Sequence, residues 1–135
     1  MVPLTFFATT TKLGFILLSL GLLTSLFGCG SSDFTSLAPD VFAEALENDS
    51  NAVVLDVRTA AEFQAGHLPG AHNLDFLRGA VGRAANQLDP EKTYYVYCKS
   101  GGRNSAAAGQ LVKKGIPHVV NLKGGILAWQ GPVER

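Results

Sequence analysis

The sequence predicts an α/β fold built on a mostly parallel sheet. Three observations carry that prediction. Short β-branched or aromatic runs recur along the chain: Ala52-Val53-Val54-Leu55-Asp56-Val57, Thr93-Tyr94-Tyr95-Val96-Tyr97 and Val119-Val120-Asn121-Leu122. Segments with apolar residues at helical spacing lie between them. Glycine, proline and Asx residues punctuate the joins. Strands that alternate with helices are joined by crossovers, and crossovers make neighbouring strands parallel.

The elements follow in order. Pro39 suits a first helical position, and Val41, Phe42, Ala45 and Leu46 share one face, giving a helix to about Glu47. Asn48-Asp49-Ser50-Asn51 ends it. The run from Ala52 to Val57 is apolar without alternation, as expected of a strand covered on both faces. Thr59 caps a short helix with Glu62 as its box partner, and the helix ends near Gly66. His67-Leu68-Pro69-Gly70 reads as a turn, with Pro and Gly suited to its two central positions. Ala71 to Leu74 is a short strand. Leu77 to Leu88 reads as one helix weakened by Gly79 and Gly82. Thr93 to Tyr97 is a strand whose tyrosines alternate between faces. Arg103 to Lys114 is an alanine-rich helix stopped by Gly115 and Pro117. Val119 to Leu122 is a strand, and Ile126 to Trp129 a final helical turn.

Composition narrows the function classes. Lys+Arg and Asp+Glu number 11 each, so the formal net charge is zero and no strongly basic surface for nucleic acid is expected. Two cysteines are too few for a disulfide scaffold, and no Cys/His spacing suggests a metal site. His72 and His118 have no partner pattern for a metal.

The charge is unevenly spread. The first 28 residues carry only Lys12, ahead of an apolar run from Leu13. Removing them leaves 107 residues with 10 basic and 11 acidic side chains, enough for one domain. Lys12, the apolar run and then Leu26-Phe27-Gly28-Cys29 resemble a bacterial lipoprotein signal peptide with its lipobox. The resemblance implies lipidation of Cys29, which becomes the new amino terminus. Residues 1–28 are then the signal, 29–33 a tether including Gly30-Ser31-Ser32, and 34–135 the domain. It also implies a lipid-anchored protein of the cell envelope, facing the periplasm. Gly30 after Cys29 resembles the outer-membrane sorting pattern. An uncleaved membrane helix and an ordinary secretory peptide cut near Gly28 are the alternatives; all three place the domain outside the cytoplasm.

The chemistry gathers at Cys98-Lys99-Ser100-Gly101-Gly102-Arg103, between a strand and a helix. Ligands collect at the carboxyl ends of strands in open α/β sheets. Gly101 and Gly102 let successive N–H groups converge into an anion-binding nest. The helix amino terminus adds positive potential, and Arg103 and Lys99 add formal charge. An ordinary cysteine is only about 3% thiolate at pH 7. Each feature of this loop favours the anion, so Cys98 is expected to be a nucleophile. The competing reading is a small apolar residue ending a strand.

These blocks together resemble the single-domain rhodanese-like sulfurtransferases over about residues 34–131. The resemblance rests on Val54-Leu55-Asp56-Val57-Arg58; on Glu62-Phe63 with Gly66-His67-Leu68-Pro69-Gly70-Ala71; on the Cys98–Arg103 loop; and on Leu122-Lys123-Gly124-Gly125 with Ala128-Trp129. It implies a central, mostly parallel sheet with helices on both faces, and a six-residue active-site loop whose cysteine carries a persulfide. Cys98 would take sulfane sulfur from a small anionic donor such as thiosulfate and pass it to cyanide or a thiol, a protein thiol included. No metal or organic cofactor is implied.

Only four residues separate Cys98 from Arg103, whereas cysteine-dependent phosphatases use five. This disfavours phosphatase and arsenate reductase chemistry. A non-enzymatic persulfide carrier or binding module is the other alternative. Asp56 and Arg58 would orient the loop or set a charge near the donor, in competition with a structural ion pair. Lys99 and Ser100 lie at the loop rim and are expected to influence donor choice. His67 is expected to make a structural hydrogen bond, and Trp129 to pack under the sheet edge.

Overall fold

A computed structural model of the chain describes residues 33–135. Cys29, the signal-like segment and nearly all of the tether lie outside the described residues. Among the described residues five strands form one sheet: β1 (Thr35–Leu37), β2 (Ala52–Asp56), β3 (His72–Asn73), β4 (Thr93–Tyr97) and β5 (Val119–Leu122). Their spatial order is β1-β5-β4-β2-β3, and every pairing between them is parallel. The same described residues form five α-helices: α1 (Pro39–Glu47), α2 (Ala60–Gln64), α3 (Ala80–Ala84), α4 (Gly102–Lys113) and α5 (Gly125–Ala128).

Strand parity separates two cores. On one face Leu55, Tyr94, Val96, Cys98 and Val119 pack with Val81 of α3 and with Ala107, Ala108 and Leu111 of α4. On the other, Val54, Tyr95, Tyr97 and Leu122 pack with Phe42 of α1, joined by Ile126 of α5 and Trp129. Helices therefore cover both faces. Phe42 meets Tyr95 and Trp129 edge-on, with ring centroids 5.2 and 6.1 Å apart. β4 lies centrally, so its tyrosines alternate between two buried faces, as the sequence predicts.

Two features depart from the sequence reading. β1 was not expected, because three residues, Thr-Ser-Leu, are too few to show an alternating pattern; β1 exists by pairing with β5 at the sheet edge. The single helix expected from Leu77 to Leu88 is three pieces: a 3-10 turn at Phe76–Arg78, α3, and a second 3-10 turn at Ala85–Gln87. Gly79 sits between the first two at φ +70°, a left-handed conformation that ends a helix. The turn expected at 67–70 does form, with the Ala71 N–H donating to the Leu68 carbonyl at 3.1 Å and Gly70 at φ +69°, and His67 and Glu134 also exchange backbone hydrogen bonds of 2.9 and 2.8 Å.

The chain from β2 leads to β3 on one side, while the chain from β4 leads to β5 on the other. The loops leaving the carboxyl ends of β2 and β4 thus diverge from neighbouring strands, the point at which open α/β sheets form clefts.

Candidate active site

Cys98 follows β4 directly. Its parity matches Tyr94 and Val96, so the side chain is directed to the face that α4 covers. The residue is 1% exposed. It borders the apolar core, yet its sulfur is in polar company. The Gly101 N–H donates to Sγ at 3.2 Å. Sγ in turn lies 3.1 Å from Oδ1 of Asn104.

Hydrogen bonds to α5 set the loop's shape. The Ile126 N–H donates to the Cys98 carbonyl at 2.8 Å, and the Leu127 N–H to the Lys99 carbonyl at 3.1 Å. In a trans peptide the N–H points opposite its C=O. The N–H groups of Lys99 and Ser100 are therefore directed away from α5. Gly125 makes this close approach possible: a Cβ there would lie 2.5 Å from the Lys99 carbonyl oxygen, and its φ is +61°. Gly101 has φ +112° and is the residue before α4, with no side-chain cap on the helix. The first-turn N–H groups of a helix have no intrahelical acceptor, so this end stays open to an anion. Gly102 differs from expectation, since a Cβ there would meet nothing within 4 Å and sterics do not demand glycine.

Arg103 interacts with Cys98 but is held by Glu62 of α2, to whose carboxylate it donates two hydrogen bonds of 2.7 and 2.8 Å. The pair holds the Glu62 carboxyl at about 2 rather than 4.5, with Arg103 the main cause. Glu62 also closes the capping box of α2, accepting from the Thr59 N–H at 3.0 Å while its own N–H donates to Thr59 Oγ1. Arg103 therefore brings an oriented, paired cation to the loop. Lys99 and Ser100 are exposed at the rim.

Asp56 and Arg58 form a buried pair at the end of β2, 0% and 6% exposed. The guanidinium donates to the carboxylate through Nη2 at 2.6 Å and Nε at 3.0 Å, and a further Nη2 bond of 2.7 Å reaches the Gly66 carbonyl. Burial alone would lower the Arg58 pKa, but pairing with Asp56 outweighs it and the net change is upward. The guanidinium also lies 5.6 Å from the centre of the Tyr97 ring. The Tyr97 hydroxyl accepts from the Leu68 N–H at 3.0 Å. This network joins β2, the 66–68 segment and the residue before Cys98; it engages the Arg58 charge inside the fold. His67 stacks on Phe63 with centroids 3.8 Å apart, and its Nδ1 is 3.0 Å from the Phe63 carbonyl.

Sequence reasoning missed Asn104 and the partner of Arg103. Asn104 gave one signal, a buriable amide three residues past the glycine that precedes the helix. Glu62 was visible as a cap and in the Glu62-Phe63 block but not as the partner of Arg103, because that contact spans 41 residues.

Comparison with known proteins agrees with this geometry. The rhodanese-like domain family model matches residues 38–132. A thiosulfate sulfurtransferase, GlpE of Pseudomonas putida, is 35% identical over 105 residues, covering 73% of this chain and 87% of that protein. A putative sulfur carrier protein, YrkF of Bacillus subtilis, is 30% identical over 104 residues; the match covers 77% of this chain but only 55% of YrkF. The uncharacterized YqhL of Bacillus subtilis is 35% identical over 83 residues, covering 62% of this chain and 64% of that protein. Among solved structures, a rhodanese-like domain from Anabaena superposes with TM-score 0.66 at 31% identity, covering 76% of this chain and 80% of that one. With its relatives named as sulfurtransferases and a sulfur carrier, and its fold shared with solved rhodanese-like domains, the chain belongs to the rhodanese-like domain family.

Proposed function

We propose that the protein is a sulfurtransferase that moves sulfane sulfur from thiosulfate or a related anionic donor to a thiophilic acceptor through a Cys98 persulfide. One observation carries the reading: Cys98 Sγ stands after β4 with the Gly101 N–H on it, before the uncapped amino end of α4. The Cys98 thiolate attacks the outer sulfur of thiosulfate. The new S–S bond forms as the old one breaks, and sulfite leaves with the bonding pair. The terminal sulfur then bears the negative charge beside the loop amides and Arg103. Cyanide or a thiolate attacks that sulfur and regenerates the Cys98 thiolate. The covalent intermediate requires ping-pong kinetics.

Thiosulfate:cyanide sulfurtransfer by the protein and its Cys98→Ser variant tests this. The expected result is parallel steady-state lines for the former and no turnover for the latter. Intersecting lines, or a p-nitrophenyl phosphatase activity above the sulfurtransferase activity, count against it. The similarity to the putative sulfur carrier YrkF supports a second reading, a persulfide relay to a protein thiol. Persulfide transfer to protein thiols that outpaces transfer to cyanide would favour it. We also propose that Cys29 is lipidated and anchors the domain at an envelope membrane, facing the periplasm. Palmitate labelling that Cys29→Ala abolishes is the expected result.

A further inference from the structure

We infer that Asn104 is a positioning residue for the Cys98 proton, an amide locked so that it holds the resting thiol and opposes the thiolate. The inference deepens the proposed reaction by identifying what limits its nucleophile. Asn104 is 0% exposed, in the first turn of α4. Its Nδ2 donates to the Leu122 carbonyl at 2.8 Å. A backbone carbonyl only accepts, so the NH2 end of the amide must face Leu122. Oδ1 then faces Cys98 Sγ at 3.1 Å.

An amide oxygen has no hydrogen to give, so the hydrogen in that contact belongs to the thiol. Gly101 supplies the opposite kind of contact, an N–H directed at the sulfur. The two neighbours pull the titration in opposite directions. Gly101 favours the anion. Asn104 favours the thiol, because deprotonation leaves a negative sulfur facing an oxygen lone pair. The amide cannot turn its NH2 to the sulfur without forfeiting the bond to Leu122. In the persulfide the inner sulfur is uncharged and the negative charge sits one S–S bond farther out, so the opposition is confined to the empty enzyme.

The charged groups around the loop, of which Arg103 also interacts with Cys98, take no part in the Asn104–Cys98 contact. They are Arg103 of α4, paired with Glu62 of α2; the exposed Lys99 of the loop; the exposed Lys123 of the β5–α5 turn; and the internally paired Asp56 and Arg58 at the end of β2. All of them remain in an Asn104 variant.

The test is the pH dependence of iodoacetamide alkylation, read by mass spectrometry on the Cys98 peptide of the full chain. In Asn104→Ala the profile should move to lower pH, with alkylation at pH 7 severalfold faster than in the wild type. An unchanged or raised midpoint overturns the inference. A second measurement needs no Asn104 variant. The infrared S–H stretch of the wild type, assigned by its loss in Cys98→Ser, should lie at the lowered frequency of a hydrogen-bonded thiol. A band at the position of an unbonded thiol overturns the inference. Neither readout uses a sulfur donor, so a protein inactive toward thiosulfate would refute the proposed function alone and leave Asn104 to be judged by these measurements.

Discussion

Glu62→Gln removes one charge from the bridge between α2 and the Cys98 loop while keeping its length and its ability to accept from Thr59. The Glu62 carboxyl falls from 4.5 to about 2 in the folded protein, chiefly because Arg103 donates two hydrogen bonds to it. At roughly 1.4 kcal/mol per pH unit, that corresponds to about 3 kcal/mol. The two side chains are 28% and 23% exposed, so solvent screening reduces the figure to about 1–2 kcal/mol. The folded pKa lies below the unfolded one, so the contribution is complete above about pH 5 and is lost as pH falls toward 2. Urea unfolding of wild type and variant at pH 7, 4 and 2.5 measures it. The difference between the two should be about 1–2 kcal/mol at pH 7, smaller at pH 4, and close to nothing at pH 2.5. A gap that persists unchanged at pH 2.5 would refute the electrostatic origin. The variant also frees Arg103, so sulfurtransfer should fall even at pH 7, where the fold is intact.

Other outcomes follow from the same geometry. Arg58→Met should cost about 3–5 kcal/mol in urea unfolding, because it strands the Asp56 carboxylate at 0% exposure. Gly125→Ala should cost at least about 1–3 kcal/mol from its left-handed backbone alone. It should also depress sulfurtransfer, since its Cβ would press on the Lys99 carbonyl that α5 holds; a stable, fully active variant would contradict this account. Lys99→Ala should raise the thiosulfate KM severalfold with kcat within about twofold, as expected for lost ground-state binding; an unchanged KM would remove Lys99 from donor recognition.

Much of the fold is legible in the residues themselves. β2, β4 and β5 are continuous β-branched or aromatic runs because both faces of a parallel sheet are buried, so the pattern needs no knowledge of partners. The α2 capping box is local over three residues and was readable for the same reason. The Cys98–Arg103 loop could be read because its parts are contiguous: a strand end, a left-handed glycine and a helix start. β1 and the broken 76–87 segment were not legible. The first depends on pairing with β5, and the second on where a weak helix pattern yields to Gly79.

The sequence by itself determined the alternation of strands and helices and placed a cysteine at the mouth of a glycine-bearing turn, because those are short-range preferences of backbone and side chain. Only the tertiary structure decided what surrounds that cysteine. Glu62 is distant in sequence, and Leu122 and α5 are brought to the loop by the parallel pairing of β4 with β5. A thiol's proton answers to whichever groups stand within a few ångströms of it, and the fold, not chain order, chooses them.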